Sequence, residues 1–182
     1  MSAGKPVPVI LTERLRLRGH EASDFDTLAR IWSDPVIVQF IGGKARTATE
    51  VWTTIQRNRG LWQTLGYGYW LAEDRRTGDF VGEIGFADFH RETEPLFWGV
   101  PECGWIIAPD HHGKGYASEA VGAVHGWFDT EMDAEQSVCI IDADNTASIR
   151  ISDKLGYVPA GTVLFNGSEV GFYKRNRGGQ KA

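Results

Sequence analysis

The spacing of apolar and polar residues changes period several times along the chain, and each change marks an element. Over residues 11–18 the period is two, with Leu15 and Leu17 set against Arg14, Arg16 and Arg18. That predicts one strand with a wet face. Ser23 precedes Asp26 at capping-box spacing, and Phe25, Leu28, Ala29 and Trp32 follow at helical intervals until Asp34-Pro35 ends the helix. Thr47-Ala48-Thr49-Glu50 is a full capping box for a second helix carrying Val51, Ile55, Trp62 and Leu65.

After Tyr67 the period returns to two. Residues 69–72 read as a strand and 74–79 as a turn; Phe80, Gly82, Ile84 and Phe86 then alternate with Val81, Glu83 and Gly85 in an answering strand. Residues 102–107, Glu-Cys-Gly-Trp-Ile-Ile, form another strand, with Trp105 read as core. Ala117, Ala120, Val121, Val124 and Phe128 share one face of a helix. Residues 138–141 are a short apolar run, hence a buried strand. Asn145 is suited to cap a helix with Ala147, Ile151 and Leu155, closed by Gly156. Asn166-Gly167, following Val163-Leu164-Phe165, predicts a hairpin whose second strand reaches about Lys174. Residues 1–8 and 176–182 are expected to be flexible, and 1–182 to be a single domain.

The junction of residues 107–120, IAPDHHGKGYASEA, combines a strand end, two glycines around Lys114 and a helix start. Glycines there let backbone N–H groups point into one small space, and a helix start adds unpaired N–H groups with a partial positive charge. Gly113, Lys114, Gly115, Tyr116 and Ala117 are thus candidates to cradle a phosphate or diphosphate. The Walker spacing is absent, and the dinucleotide fingerprint fails at Ser118, where its third glycine would stand. A third phosphate loop, that of acyl-coenzyme A transferases, stays open beside the plainer reading of a flexible helix entry.

Composition narrows the partners. The net charge of −5 argues against a nucleic-acid surface. Cys103 and Cys139 form no C-x-x-C pair, as in a cytosolic, reduced protein. The first residues lack the apolar core of a signal peptide, and no apolar run reaches bilayer length, so a cytoplasmic protein without membrane partner is expected. Adjacent His111 and His112 have no further ligands at metal-binding spacing, so no metal is expected.

Residues 112–120, HGKGYASEA, resemble the acetyl-CoA loop of the GNAT acetyltransferase superfamily, in particular its RimJ/RimL-like branch. Residues 11–18 (LTERLRLR), 102–105 (ECGW), 145–150 (NTASIR) and 154–157 (KLGY) resemble further signatures of that branch in matching order. The resemblance implies a GNAT fold of the α/β (α+β) class: a mixed, mostly antiparallel twisted sheet of about seven strands with helices on both faces. It implies acetyl-CoA as co-substrate and transfer of the acetyl group to a primary amine, either a protein N-terminus or a small amine, in a monomer or homodimer. It assigns the backbone of Ile106, Ile107 and Ala108 to the pantetheine arm, with an N–H at Ile106 or Ile107 for the developing oxyanion. It assigns His112 to the cofactor, Asn145 to pantetheine and Ser148 to the thiol. Glu102 is the first candidate base and Glu83 the second; each reads equally as a paired strand carboxylate.

Two positions depart from the superfamily pattern. Asp110 stands where Gln or Arg often precedes the first glycine, and Ser152 stands where many members carry a tyrosine acid. The missing tyrosine keeps a second reading open, a CoA-binding sensor without turnover.

Overall fold

The computed structural model describes residues 6–179. Its strands are β1 (Ile10–Leu11), β2 (Leu15–Arg18), β3 (Tyr69–Asp74), β4 (Phe80–Ala87), β5 (Glu102–Ile107), β6 (Gln136–Ile141), β7 (Val158–Phe165) and β8 (Ser168–Asn176). Its helices are α1 (Phe25–Ile31), α2 (Pro35–Val38), α3 (Ala48–Leu65), α4 (Tyr116–Glu131) and α5 (Thr146–Lys154). The strands follow the order β1-β2-β3-β4-β5-β6-β8-β7. β5 and β6 pair in parallel; β1–β2, β2–β3, β3–β4, β6–β8 and β7–β8 pair antiparallel. This is the mixed, mostly antiparallel sheet flanked by helices that the resemblance implied, with eight strands instead of about seven.

The extra strand comes from residues 11–18, which are not one strand. Thr12 folds the chain back: its N–H donates to the Leu15 carbonyl, and its hydroxyl accepts from the Leu15 N–H, both at 2.9 Å. A side-chain acceptor thus closes a tight hairpin. The first helix also starts differently. A 3-10 turn, Ala22–Asp24, leads into it, and the capping box belongs to that turn: Glu21 is its N-cap, and the Asp24 carboxylate accepts from the Glu21 N–H at 2.7 Å, so Ser23 is not the cap. Asp34-Pro35 ends α1 as expected but also starts α2, because the Asp34 side chain accepts from the Val36 N–H at 2.8 Å and proline suits a first helical position.

The chain forms two compact units, one running to Gly85 and including Trp105–Ala123, the other comprising Phe86–Gly104 and the chain from Val124 onward. In the first, Leu28, Ile31, Trp32, Ile37, Val51 and Ile55 pack with Ile106 and Ala108. β4 belongs to it as far as Gly85, and every residue of that strand from Val81 to Ala87 is buried. The alternation read over 80–86 therefore does not sort a wet face from a dry one. In the second unit, Val138, Val163 and Phe172 form a core joined by Phe97 and Ile140. Its hairpin turns at Asn166-Gly167, where both residues take positive φ (50° and 79°), as the Asn-Gly pair predicts.

The end of the chain is held further than expected. β8 runs to Asn176, and Arg175 Nη1 and Nη2 grip both Asp129 oxygens at 2.8 and 2.7 Å. Arg177–Gly179 then makes a 3-10 turn whose Gly178 N–H donates to Asp129 at 3.0 Å. Residues 1–5 and 180–182, within the segments read as flexible, lie outside the described residues. Among the described residues no helix is long and apolar enough to cross a membrane.

Candidate active site

The turn after β5 leaves its backbone donors unspent. His111 and His112 donate their N–H groups to the Ala108 and Pro109 carbonyls at 2.9 and 3.0 Å. The next six amides, Gly113 to Ser118, have no acceptor among the described residues; Glu119 is the first to bond back, to Gly115 O at 3.1 Å. Gly113 and Gly115 take φ of 70° and 80°. A Cβ on Gly113 would meet nothing within 4 Å, so the backbone angle and not crowding selects glycine there. Free amides at a nest that opens a sixteen-residue helix suit a diphosphate. Lys114 is exposed beside them.

The side chains around the turn are committed elsewhere. Tyr116 donates its hydroxyl to Asp74 at 2.6 Å, so it can offer only its backbone. His112 Nε2 meets the Ile107 carbonyl at 2.7 Å, so this ring nitrogen carries the proton and ties the turn to β5. Asp110 is exposed.

Strand alternation separates the β5 residues assigned to the cofactor. Ala108 donates its N–H to Val81 O on β4 at 2.8 Å. Ile106 shares that direction, and Ile107 presents its N–H and carbonyl on the opposite edge, where His112 meets the carbonyl. The amides of Ile106 and Ala108 therefore point into the sheet, and of the two oxyanion candidates only Ile107 has an outward N–H. Trp105, read as core, is half-buried, and its Nε1 has no acceptor among the described residues.

Asn145 and Ser148 belong to the second unit and are neighbours: the Asn145 side-chain oxygen accepts from the Ser148 N–H at 3.1 Å. Asn145 is thus the N-cap of α5, as expected. The Ser148 hydroxyl is half-buried and has no hydrogen bond among the described residues. Ser152, in the tyrosine's place, is buried and donates to Ile149 O at 2.8 Å.

Both candidate bases are buried and paired. Glu102 receives Arg91 Nε and Nη2 at 2.6 and 3.0 Å. Burial pushes its pKa above the usual carboxylate range, against the pull of Arg91. Glu83 meets His20 Nε2 at 2.6 Å, Trp32 Nε1 at 2.7 Å and Asn58 Nδ2 at 3.2 Å. Burial pushes its pKa up too, but the hydrogen bonds from His20 and Trp32 and the charges of His20 and Arg46 outweigh it and hold it below the usual range. The Arg46 guanidinium lies 3.3 Å from the centre of the Trp32 ring.

Comparison with known proteins settles the family. The model of the acetyltransferase (GNAT) domain matches residues 14–158. The chain belongs to the GNAT acetyltransferases. It is 32% identical over 169 residues to YkkB, an uncharacterized protein of Bacillus subtilis (strain 168), with 91% of this chain and 94% of that protein covered. A structure assigned to the GnaT-family acetyltransferases from Bordetella pertussis superposes with a TM-score of 0.81 at 27% identity, covering 92% of this chain and 99% of the other. The fold is also that of RimL, a ribosomal L7/L12 α-N-protein acetyltransferase solved in complex with coenzyme A (TM-score 0.76, 18% identity, 95% of this chain and 100% of that one). The GNAT protein is an acyltransferase, and acetyl-CoA is the donor its family uses. The acceptor-free amides of residues 113–118 fit the diphosphate of that donor.

Sequence reasoning missed Arg14, Asp74 and Glu119, which hold this turn from below. Arg14 gave one signal, a cation on the wet side of a strand; its partner lies 105 residues away.

Proposed function

We propose that this protein moves the acetyl group of acetyl-CoA to a primary amine, a protein N-terminus or a small amine, by direct attack. The observation that carries the reading is the run of acceptor-free amides at residues 113–118, built on two left-handed glycines. Those amides, with Lys114 at the rim, hold the diphosphate. Acetyl-CoA supplies the activated acetyl thioester. The Ile107 N–H stabilises the charge that develops on the acetyl oxygen. The family resemblance assigns Asn145 to the pantetheine arm and the Ser148 hydroxyl, which has no hydrogen bond among the described residues, to the departing sulfur.

Proton removal is a light task if the acceptor is an α-amine. Its pKa is about 8, so roughly a tenth is neutral at pH 7, against about one in a few thousand for a lysine. Glu102 takes that proton. Burial raises its pKa, which favours accepting a proton, and Arg91 fixes the plane of its carboxylate. The test is incubation with acetyl-CoA and a panel of peptides and small amines, reading thiol release and acetylated product by mass spectrometry. Product on at least one amine supports the reading. CoA binding without turnover above hydrolysis would instead favour a sensor, the reading that the engaged hydroxyl of Ser152 keeps in view.

A further inference from the structure

Two acids flank the free amides, and an anion site tolerates them only if they are dealt with. Asp110 is exposed. Glu119 lies in the first turn of α4, among the amides themselves. A bare carboxylate there would repel a phosphate and compete for the same donors. Glu119 is instead drawn off by the β1–β2 hairpin. Its Oε1 accepts from the Thr12 hydroxyl at 2.5 Å and the Arg14 N–H at 2.8 Å, and its Oε2 accepts from Arg14 Nε at 2.6 Å.

The same guanidinium reaches the turn. Arg14 Nη1 donates to the Lys114 carbonyl at 2.8 Å, and the group lies over the Tyr116 ring, 4.3 Å from its centre. The carbonyl of Lys114 and the N–H of Gly115 share one planar peptide and point in opposite directions. Gripping the carbonyl from below therefore turns the Gly115 N–H away from Arg14. One side chain thus fixes a peptide between two left-handed glycines, where backbone freedom would otherwise be greatest.

We propose that Arg14 is a positioning residue for the cofactor: by holding the Lys114 carbonyl and Glu119 together, it keeps the amides of the turn aimed at one anion and so sets the affinity for the diphosphate of acetyl-CoA. The proposal rests on reading this turn as the cofactor's phosphate site.

The test is calorimetric titration of the full chain with CoA, which needs no knowledge of the acceptor. Arg14→Gln weakens binding about tenfold or more, the scale of lost charge-assisted hydrogen bonds. Glu119→Gln also weakens it, by about threefold to fivefold, although it removes a negative charge near the phosphates. The double variant is no weaker than Arg14→Gln alone, because both residues act through one clamp. Arg14→Lys recovers part of the loss by reaching one partner but not both. Arg16→Gln, whose ion pair with Glu73 at 3.4 Å is exposed, binds CoA like the parent and serves as the control. Melting curves confirm that each variant is folded at the titration temperature, so a role in stability alone leaves the binding constant unmoved. Should Arg14→Gln fail to fold, Glu119→Gln and Arg14→Lys carry the test. Parent-like affinity in the Arg14 variants, or tighter binding in Glu119→Gln, overturns the proposal. A parent protein that does not bind CoA sinks the functional reading instead.

Discussion

Glu83 on β4 and Glu102 on β5 are 3% and 4% exposed, and either would be costly to bury as an unpaired charge. Glu83 is surrounded by three donors from three different segments, His20, Asn58 and Trp32. Glu102 has one hydrogen-bonding partner among the described residues, the forked guanidinium of Arg91. Burial raises both pKa values, yet only at Glu83 do the partners win. The difference teaches that burial alone does not set a carboxylate's basicity; the number and charge of the groups bonded to its ionised form do. Glu83 is thereby a tether, joining β4 to α3 and to the residues on either side of α1. Glu102 keeps more affinity for a proton, which is what a base requires.

Breaking the tether gives the largest effect. Glu83→Ala strips Trp32 and His20 of their acceptor and leaves buried donors behind, so the free energy of unfolding in urea falls by about 3–5 kcal/mol. The comparison sharpens at the chemistry. Glu102→Gln lowers turnover by about 100-fold while CoA affinity stays within about twofold; a loss of that size in Glu83→Gln, with Glu102→Gln active, would exchange the two roles. Ser148→Ala lowers turnover by about tenfold and affinity less, and unchanged turnover would remove Ser148 from the reaction.

The pH effects are smaller and of opposite sign at the two sites. The folded-state pKa of Glu83 is depressed, so its stabilisation is present above the unfolded value of about 4.3 and is lost as pH falls through the folded value. The folded-state pKa of Glu102 is raised, so its penalty stands above that folded value and is relieved as pH falls toward about 4.3. Urea midpoints measured against pH should therefore flatten on the acid side in Glu83→Gln and steepen there in Glu102→Gln. Arg91→Gln removes the group that pulls the Glu102 pKa down. The acid limb of the kcat/KM profile should then move to higher pH, and an unmoved limb would mean that another group titrates.

Element order, the capping box of α3, the Asn145 cap and the Asn-Gly hairpin were all legible in the chain, because each rests on residues within a few positions of one another. The two glycines around Lys114 were legible for the same reason: positive φ is a local demand that local sequence must meet. The hairpin within residues 11–18 was not, because a leucine–arginine alternation continues through a turn that one threonine hydroxyl closes. Nor was the base. Glu83 and Glu102 look alike as acids among apolar neighbours, and only folding brings His20, Trp32 and Asn58 to one and Arg91 to the other. The choice between Ile106 and Ile107 depended on which edge of β5 meets β4. The clamp of Arg14 on Glu119 joins residues 105 positions apart, so no pattern along the chain records it. Sequence alone determined what the backbone must do at each turn; tertiary structure decided which charges meet, because electrostatic partners are set by distance in space and not along the chain.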